Sequence, residues 1–202
     1  MTSSEAWGAY RAHHLRRYLE ARRQGEVDVP IIPLLDLINK QRDMVTTSSC
    51  SGRVVLLETD ISEKKRESAF YRKWHRPVTT DEVWDALDSY SGEQILWFKV
   101  DPFILHIGFQ HMQTALDVIR LARSAGFKIA GIQACDSAKI HVEIRGIDSM
   151  AVPVYFKRPL IDRVYTRHIV DFANRKMVRN AERIARFFDG LLSYLRSREK
   201  EP

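Results

Sequence analysis

The sequence predicts an α+β fold, in which a mixed and largely antiparallel β-sheet is flanked by helices. Two observations favour this class: short apolar runs typical of strands come in pairs, and amphipathic helical patterns separate the pairs. A third observation excludes a common alternative, because the chain has no Gly-x-Gly sequence and so lacks the glycine-rich turn of a Rossmann fold. The succession of strand pair, helix and strand pair also suggests an internal duplication.

Helices are predicted at both ends of the chain and between the strands. They cover residues 4–24, 31–41, about 80–90, 111–124 and about 162–196. The last of them, the long C-terminal helix, has one apolar face. On or near its opposite face lie the basic side chains His168, Arg175, Arg179, Arg183 and Arg186. Such a face is either an ordinary solvated helix surface or a track for an RNA backbone.

Strands are predicted at residues 53–59, 95–100, 103–109, 128–135, 139–146 and 152–156. The second and third are joined at Asp101–Pro102, and the fourth and fifth form a pair around Asp136–Ser137. The last strand belongs at a sheet edge, because Pro153 cannot donate a hydrogen bond to a central ladder. We expect one domain, residues 1–202, with the N-terminal and C-terminal helices packed on the sheet.

Composition narrows the class of protein further. The chain has 32 Lys and Arg against 26 Asp and Glu, which gives a formal net charge of +6 and favours a polyanionic partner such as a nucleic acid. Its two cysteines, Cys50 and Cys135, are far apart and form no Cys-x-x-Cys pair. This pattern argues against a disulfide framework and a structural metal site. Because no apolar run approaches the roughly 20 residues that span a bilayer, we expect a cytoplasmic protein.

The most unusual segment is a run of hydroxyl and thiol side chains, TTSSCSGR, at residues 46–53. Its composition predicts a flexible turn that leads into the strand at 53–59. Hydroxyl groups, backbone N–H groups and the Arg53 guanidinium could together bind a carboxylate, a phosphate or the edge of a base. The residues alone fit an ordinary Ser/Thr-rich turn equally well.

This segment, followed by an apolar strand, resembles the signature of the tRNA wybutosine-synthesising protein three family. Other segments resemble the family in the same order along the chain. They are IIPLLDLIN before the hydroxyl run, KWHRP at 73–77, LWFKVDPFILHI at 96–107, SAGFKIAGI at 124–132, VPV at 152–154 and a helix that begins near Tyr165. The resemblance extends from about Val27 to Phe188, and TTSSCSGR together with PFILH is its most specific part.

The resemblance implies an S-adenosylmethionine-dependent tRNA methyltransferase. The methyl group would pass to a ring nitrogen, N-4, of the tricyclic wyosine or wybutosine precursor that lies next to the anticodon of phenylalanine tRNA. Such a reaction requires an aligned methyl donor, relief of the positive charge that develops on the ring nitrogen, and an unstacked base.

Candidate residues follow from that chemistry. For cofactor binding they are Ser48, Ser49, Ser51, Gly52 and Arg53. For substrate binding they are Lys73, Trp74, Arg76, Asn174, Arg175 and Arg179. The general-base candidates are His75, His106 and the carboxylate of Asp43. Trp74 could instead be a partly buried anchor, and His106 could be a structural histidine on its strand.

Two other classes of function stay open at this point. The first is a non-catalytic tRNA-binding accessory module of the same pathway, which would use the basic helix and the aromatic and basic stretch Lys64–Arg76. The second is a metal-dependent hydrolase that would use His106, His111 and His141. These histidines have no known ligand spacing and no paired carboxylates in the sequence, so no metal site is predicted.

Overall fold

The fold is taken from a computed structural model, which describes residues 2–61 and 68–199. Five α-helices lie in these ranges: α1 (Ser3–Arg23), α2 (Ile32–Asn39), α3 (Thr80–Asp88), α4 (Met112–Ser124) and α5 (Arg163–Arg198). The nine strands in the same ranges are β1 (Met44–Cys50), β2 (Arg53–Thr59), β3 (Ala69–Trp74), β4 (Ile95–Asp101), β5 (Ile104–Phe109), β6 (Ile129–Cys135), β7 (Ile140–Arg145), β8 (Met150–Phe156) and β9 (Arg158–Pro159). Within the described ranges, no helix is both long and apolar enough to cross a membrane.

Contacts divide the chain into two compact units. The first unit consists of Met1–Ser51, Phe103–Ile147 and Ala181–Pro202, and the second consists of Gly52–Pro102 and Asp148–Asn180. Helix α5 contributes its first half to the second unit and its second half to the first. That the whole chain forms a single domain, and that the sequence carries an internal duplication, both stay predictions.

The first unit is built on a four-stranded antiparallel sheet in the order β1-β5-β7-β6. The side chains of β5 alternate between its two faces, and those of Leu105, Ile107 and Phe109 are fully buried in the core of this unit. Residues of α2, α4 and the second half of α5, among them Phe187 and Leu191, complete that core.

On the other face of the same sheet lies helix α1. A Cβ atom at Gly108 would stand only 2.5 Å from Cε1 of Tyr10, so the absence of a side chain on β5 lets the α1 ring approach the sheet. Thr2 caps α1, and Glu5 completes a capping box with it. The face of the sheet that α1 approaches therefore carries the alternate residues of β5, which include His106.

The second unit has a five-stranded antiparallel sheet in the order β3-β2-β4-β8-β9. Its core contains Val54, Leu56 and Phe98 from the sheet, and α3 and the first half of α5 add further apolar side chains. Helix α3 begins with a capping box between Thr79 and Glu82.

The predicted α+β class with antiparallel strands is confirmed, but three details of the sheet were wrong. The strands form two sheets, because β4 and β5, on either side of Pro102, pair with different neighbours. Residues 46–50 of the predicted turn are part of strand β1. Strand β8 has β9 beyond it, and Pro153 is tolerated because β9 pairs only with Tyr155 and Phe156.

Candidate active site

Strand β1 carries the hydroxyl run along the edge of the first unit's sheet. The strand pairs on one side with β5, and its register shifts between Thr46 and Ser48, which indicates a β-bulge. On its other side the buried Thr46 is fixed by Asn39, whose side chain accepts from the Thr46 N–H at 2.9 Å and donates to the Thr46 hydroxyl at 2.8 Å. The hydroxyl residues that follow are half-buried or exposed, so they stay accessible.

Three polar side chains stand in register across neighbouring strands of this sheet. Ser48 of β1 is opposite His106 of β5, and His106 is opposite Glu143 of β7. Directly opposed residues share a face of the sheet, so their side chains meet. The Ser48 Oγ lies 2.6 Å from Nδ1 of His106, and Nε2 of His106 lies 3.0 Å from Oε2 of Glu143. We call this row the Ser48–His106–Glu143 triad.

A carboxylate can only accept a hydrogen bond, so an ionised Glu143 requires the His106 proton on Nε2. When the imidazole is neutral, the lone pair of Nδ1 is directed at the Ser48 hydroxyl, which then donates to it. The arrangement therefore orients an imidazole base through a carboxylate and connects it to an exposed hydroxyl group.

A second histidine stacks on the triad. The rings of His106 and His141 are 5.2 Å apart and nearly parallel, and Nε2 of His141 lies 3.2 Å from the Thr47 hydroxyl. Burial lowers the pKa of His141, and the nearby charges of His106 and Lys139 act in the same direction. The pKa of His14 on α1 is lowered too, again mainly by burial. Both imidazoles are therefore neutral near pH 7.

A cavity of about 570 Å³ opens beside the hydroxyl strand. One wall is Thr46, Thr47, Ser48 and Ser49 of β1, and the other is the C-terminal half of α1 with Glu26 and Val27 beyond it. This volume lies in the range of about 300–1,000 Å³ that small-molecule sites occupy. The cavity therefore joins the hydroxyl strand, and Ser48 of the triad, to a space large enough for a ligand.

The structure divides the predicted cofactor-binding residues. Ser48 and Ser49 line the cavity, whereas Ser51, Gly52 and Arg53 do not. The Ser51 side chain is buried, and its backbone N–H donates to Asp28 at 2.6 Å. Gly52 has a φ of 94°, a backbone conformation that favours glycine and ends the strand.

Arg53 belongs to the second unit and is engaged there. Its Nε donates to Asp101 at 3.0 Å, and its guanidinium lies 4.4 Å from the centre of the Phe70 ring. A salt bridge and a cation–π contact therefore hold the side chain that was predicted to bind an anion.

Asp43, the predicted carboxylate alternative for the base, is in a structural ion pair of the first unit. Its Oδ2 accepts from Arg198 at 2.8 Å and from the Thr114 hydroxyl at 3.2 Å, and only 9% of the residue is exposed. These contacts favour a structural role for Asp43.

Four of the predicted residues lie on and after strand β3 of the second unit. Lys73 is exposed, 5.8 Å from the Phe70 ring centre, and Trp74 packs partly against that unit's core. His75 is half-buried. The Arg76 guanidinium pairs with Glu82 and holds the pKa of that carboxyl at about 2. The start of the basic and aromatic stretch predicted from Lys64 lies outside the described residues.

The predicted substrate-binding residues of α5 differ in how they are engaged. The Asn174 side chain accepts from the Val78 N–H at 2.9 Å and donates to the Val78 carbonyl at 2.8 Å, so it clamps the chain before α3. Arg179 pairs with Asp148 at 3.6 Å. Arg175 is exposed, and its guanidinium lies 5.6 Å from the centre of the Phe172 ring.

Sequence reasoning missed Glu143 and the pairing of Thr47 with His141. Glu143 and His141 alternate with buried Val142 and Ile144 on β7, which is a period-two signal for one shared face. That signal was readable in the sequence, but the register that sets Glu143 opposite His106 was not.

Comparison with known proteins now decides the family. A family model described as Methyltransferase TYW3 matches residues 9–193. The chain belongs to the methyltransferase TYW3 family. The predicted resemblance is thereby confirmed.

Relatives of this TYW3-family chain occur in archaea and eukaryotes. It is 34% identical to an Archaeoglobus fulgidus protein named tRNA(Phe) 7-((3-amino-3-carboxypropyl)-4-demethylwyosine(37)-N(4))-methyltransferase, over 94% of this chain and 95% of that protein. A Pyrococcus furiosus protein with the same activity in its name is 40% identical, over 82% of this chain and 85% of its own length. The tRNA wybutosine-synthesizing protein 3 homolog of Mus musculus is 31% identical, over 95% of this chain and 75% of the mouse protein.

Solved structures agree with this membership. The PH1069 protein from Pyrococcus horikoshii superposes with a TM-score of 0.88 at 34% identity, covering 95% of this chain and 98% of that chain. A protein from Aeropyrum pernix gives a TM-score of 0.69 at 26% identity, covering 81% of this chain and 96% of that chain.

Proposed function

We propose that this TYW3-family chain transfers a methyl group from S-adenosylmethionine to N-4 of 7-(3-amino-3-carboxypropyl)-4-demethylwyosine at position 37 of phenylalanine tRNA. The names of the Archaeoglobus and Pyrococcus relatives support this substrate, since the similarity covers most of each chain. The observation in the molecule that carries the proposal is the Ser48–His106–Glu143 triad beside the cavity of the first unit.

The residues around the cavity fit the methyl donor. Ser48 offers a hydroxyl group and Ser49 lines the same wall, Arg16 and Arg17 offer cations for a carboxylate, and Ala21 and Val27 offer apolar surface. When bound, S-adenosylmethionine supplies an electrophilic methyl group on a sulfonium centre. The absence of a Rossmann turn is no obstacle, because this donor set needs no glycine-rich loop.

The triad provides a place for the proton that leaves the ring nitrogen. The Ser48 hydroxyl donates to Nδ1 of His106, so it can pass its proton to the imidazole while it accepts another from the substrate. Glu143 then stabilises the imidazolium through the bond to Nε2. His141 stacks on the same ring, limits its rotation and stays neutral near pH 7.

Contacts to the tRNA backbone are proposed for cations that no carboxylate neutralises. Among the residues that the structure describes, Lys73 and Arg175 have no salt-bridge partner, and both are exposed. Cations of this kind bind phosphate and make the affinity depend on salt. Arg76 and Arg179 would have to exchange Glu82 and Asp148 for phosphate groups.

The test is methyl transfer to phenylalanine tRNA that carries the 4-demethylwyosine precursor with its 3-amino-3-carboxypropyl side chain. The nucleosides are digested and their masses measured after incubation with S-adenosylmethionine and the purified chain. We expect the precursor to gain one methyl group, with fragmentation that places it on the tricyclic base. Tight binding of the tRNA without any gain in mass would contradict the proposal and favour the non-catalytic accessory module.

A further inference from the structure

The wall that helix α1 contributes to the cavity carries charges of both signs. Arg17, Glu20 and Gln24 are spaced so that they share one face of the helix, and Arg16 also lines the space. Glu26, just beyond the end of the helix, adds a second carboxylate to the same lining. None of these residues belongs to the Ser48–His106–Glu143 triad.

Most of these charges are not neutralised within the protein. In residues 2–61 and 68–199, the side chains of Arg16, Arg17 and Glu26 have no hydrogen-bond or ion-pair partner, whereas Glu20 pairs with Arg23 and with the Gln24 amide. Exposed charges gain little from pairing with each other, but they readily bind a ligand of complementary charge. The cavity thus presents unpaired cations and an unpaired carboxylate around one space.

The arrangement selects against ligands of a single charge. A phosphate group would be repelled by the unpaired Glu26, and a simple cation would be repelled by Arg16 and Arg17. The carbonyl groups at the C-terminal end of α1, next to Gln24 and Glu26, favour a positively charged group there. A ligand with a carboxylate towards the arginines and an ammonium towards the end of the helix satisfies all of these charges.

We infer that this cavity binds a zwitterionic α-amino acid group, with Arg16 and Arg17 on its carboxylate and Glu26 on its ammonium. The inference rests on the proposed function, which offers two sources of that chemistry at one reaction. One is the methionine end of the methyl donor. The other is the 3-amino-3-carboxypropyl side chain of the tRNA base. Polar groups of Ser48 and Ser49 on the facing wall bind polar atoms of either group.

The first arm of the test examines the methyl donor. S-adenosylmethionine and decarboxylated S-adenosylmethionine, which lacks only the carboxylate, are titrated calorimetrically into the full chain and into the double variant Arg16→Ala/Arg17→Ala. If the methionine end occupies the cavity, the variant binds S-adenosylmethionine at least tenfold more weakly and binds the decarboxylated compound as the wild type does. Glu26→Gln is expected to lower the affinity for both compounds, because both keep the ammonium group.

The second arm examines the tRNA. The ratio kcat/KM is measured for phenylalanine tRNA with the 3-amino-3-carboxypropyl side chain and for tRNA that carries 4-demethylwyosine without it. If the side chain occupies the cavity, the double variant has a kcat/KM at least tenfold lower for the first tRNA and unchanged for the second. Its affinities for the two donor compounds then equal those of the wild type. Arg120→Ala, which removes an exposed arginine of α4 outside the cavity, is the matched control.

The inference is overturned if the double variant matches the wild type in both arms. It is also overturned if the double variant lowers the affinity for both donor compounds and kcat/KM for both tRNAs by the same factor. The arginines would then attract anions without recognising an amino acid. A wild-type chain that binds S-adenosylmethionine but never methylates the tRNA would refute the proposed function alone. The titration arm would still decide whether the cavity binds the amino acid group.

Discussion

The two units of the molecule use their polar residues in different ways. In the first unit, hydroxyl and imidazole groups of β1, β5 and β7 form the triad and its stacked neighbour, and Ser48 opens to the cavity. In the second unit, candidate functional groups are committed to structural contacts, as Arg53 is to Asp101 and Asn174 is to Val78. A continuous sequence signature therefore need not be one functional site.

The TTSSCSGR segment shows this most directly. Its hydroxyl residues up to Ser51 belong to the first unit, and Gly52 and Arg53 begin the second. The accessible hydroxyl groups stand beside an imidazole base, whereas the guanidinium is held by a carboxylate and an aromatic ring. We therefore propose that the proton chemistry belongs to the first unit and that exposed cations of the second contact the tRNA backbone.

The largest expected effect is on the triad of the first unit. His106→Gln should lower the single-turnover rate of methyl transfer by about 100-fold or more, because the proton loses its acceptor. Rapid-quench measurements under saturating methyl donor would show this change. His111→Gln, at the start of α4, is the matched control and should keep the wild-type rate. A His106→Gln variant that is as fast as the wild type would contradict the assignment of the proton transfer to this unit.

The next largest effect is expected for Asn174 of the second unit, where a loss of stability is to be distinguished from a loss of tRNA binding. Asn174→Ala should lower the free energy of unfolding by about 2 kcal/mol, because two backbone groups of Val78 lose their hydrogen bonds. Urea denaturation measures this loss, and filter binding below the unfolding transition should give an unchanged affinity for tRNA. A variant with unchanged stability and weaker tRNA binding would instead indicate that Asn174 contacts the substrate.

A smaller effect is expected for the exposed cation on the same helix. Arg175→Ala should reduce the slope of log affinity for tRNA against log salt by about one, because one phosphate contact is lost. Arg53→Ala is the comparison, since the Asp101 carboxylate already neutralises its guanidinium. Equal slopes for the wild type and Arg175→Ala would mean that this face of α5 is only solvated.

The smallest effect concerns the pH dependence of stability. Burial lowers the pKa of His14 and His141 below the ordinary value of 6.5, so the unfolded chain binds more protons than the folded chain in mildly acidic solution. The free energy of unfolding should therefore fall as the pH drops below about 6.5, and a His14→Gln/His141→Gln variant should show a shallower fall. Denaturant titrations at several pH values measure both slopes. Identical slopes would contradict the assignment of this dependence to the two histidines.

The sequence was sufficient for the local elements and for the family, but not for the pairing of strands. Strand β2 at 53–59 was predicted as observed and helix α3 about where it lies, because both depend on neighbours along the chain. The separation of β4 from β5 at Pro102 depends on distant partners, and so does the row that sets Ser48, His106 and Glu143 side by side. His106 was therefore predicted as a base while Glu143, its carboxylate partner, was not.

The proposed reaction requires the methyl donor to bind beside the hydroxyl strand of the first unit. Calorimetric titration of the wild-type chain and of Ser49→Ala with S-adenosylmethionine tests it most directly. We predict saturable binding near one molecule per chain, weakened at least tenfold in the variant, with Cys135→Ser as the matched control on an exposed residue. Equal affinity of Ser49→Ala and the wild type would contradict the claim and move the donor away from this strand.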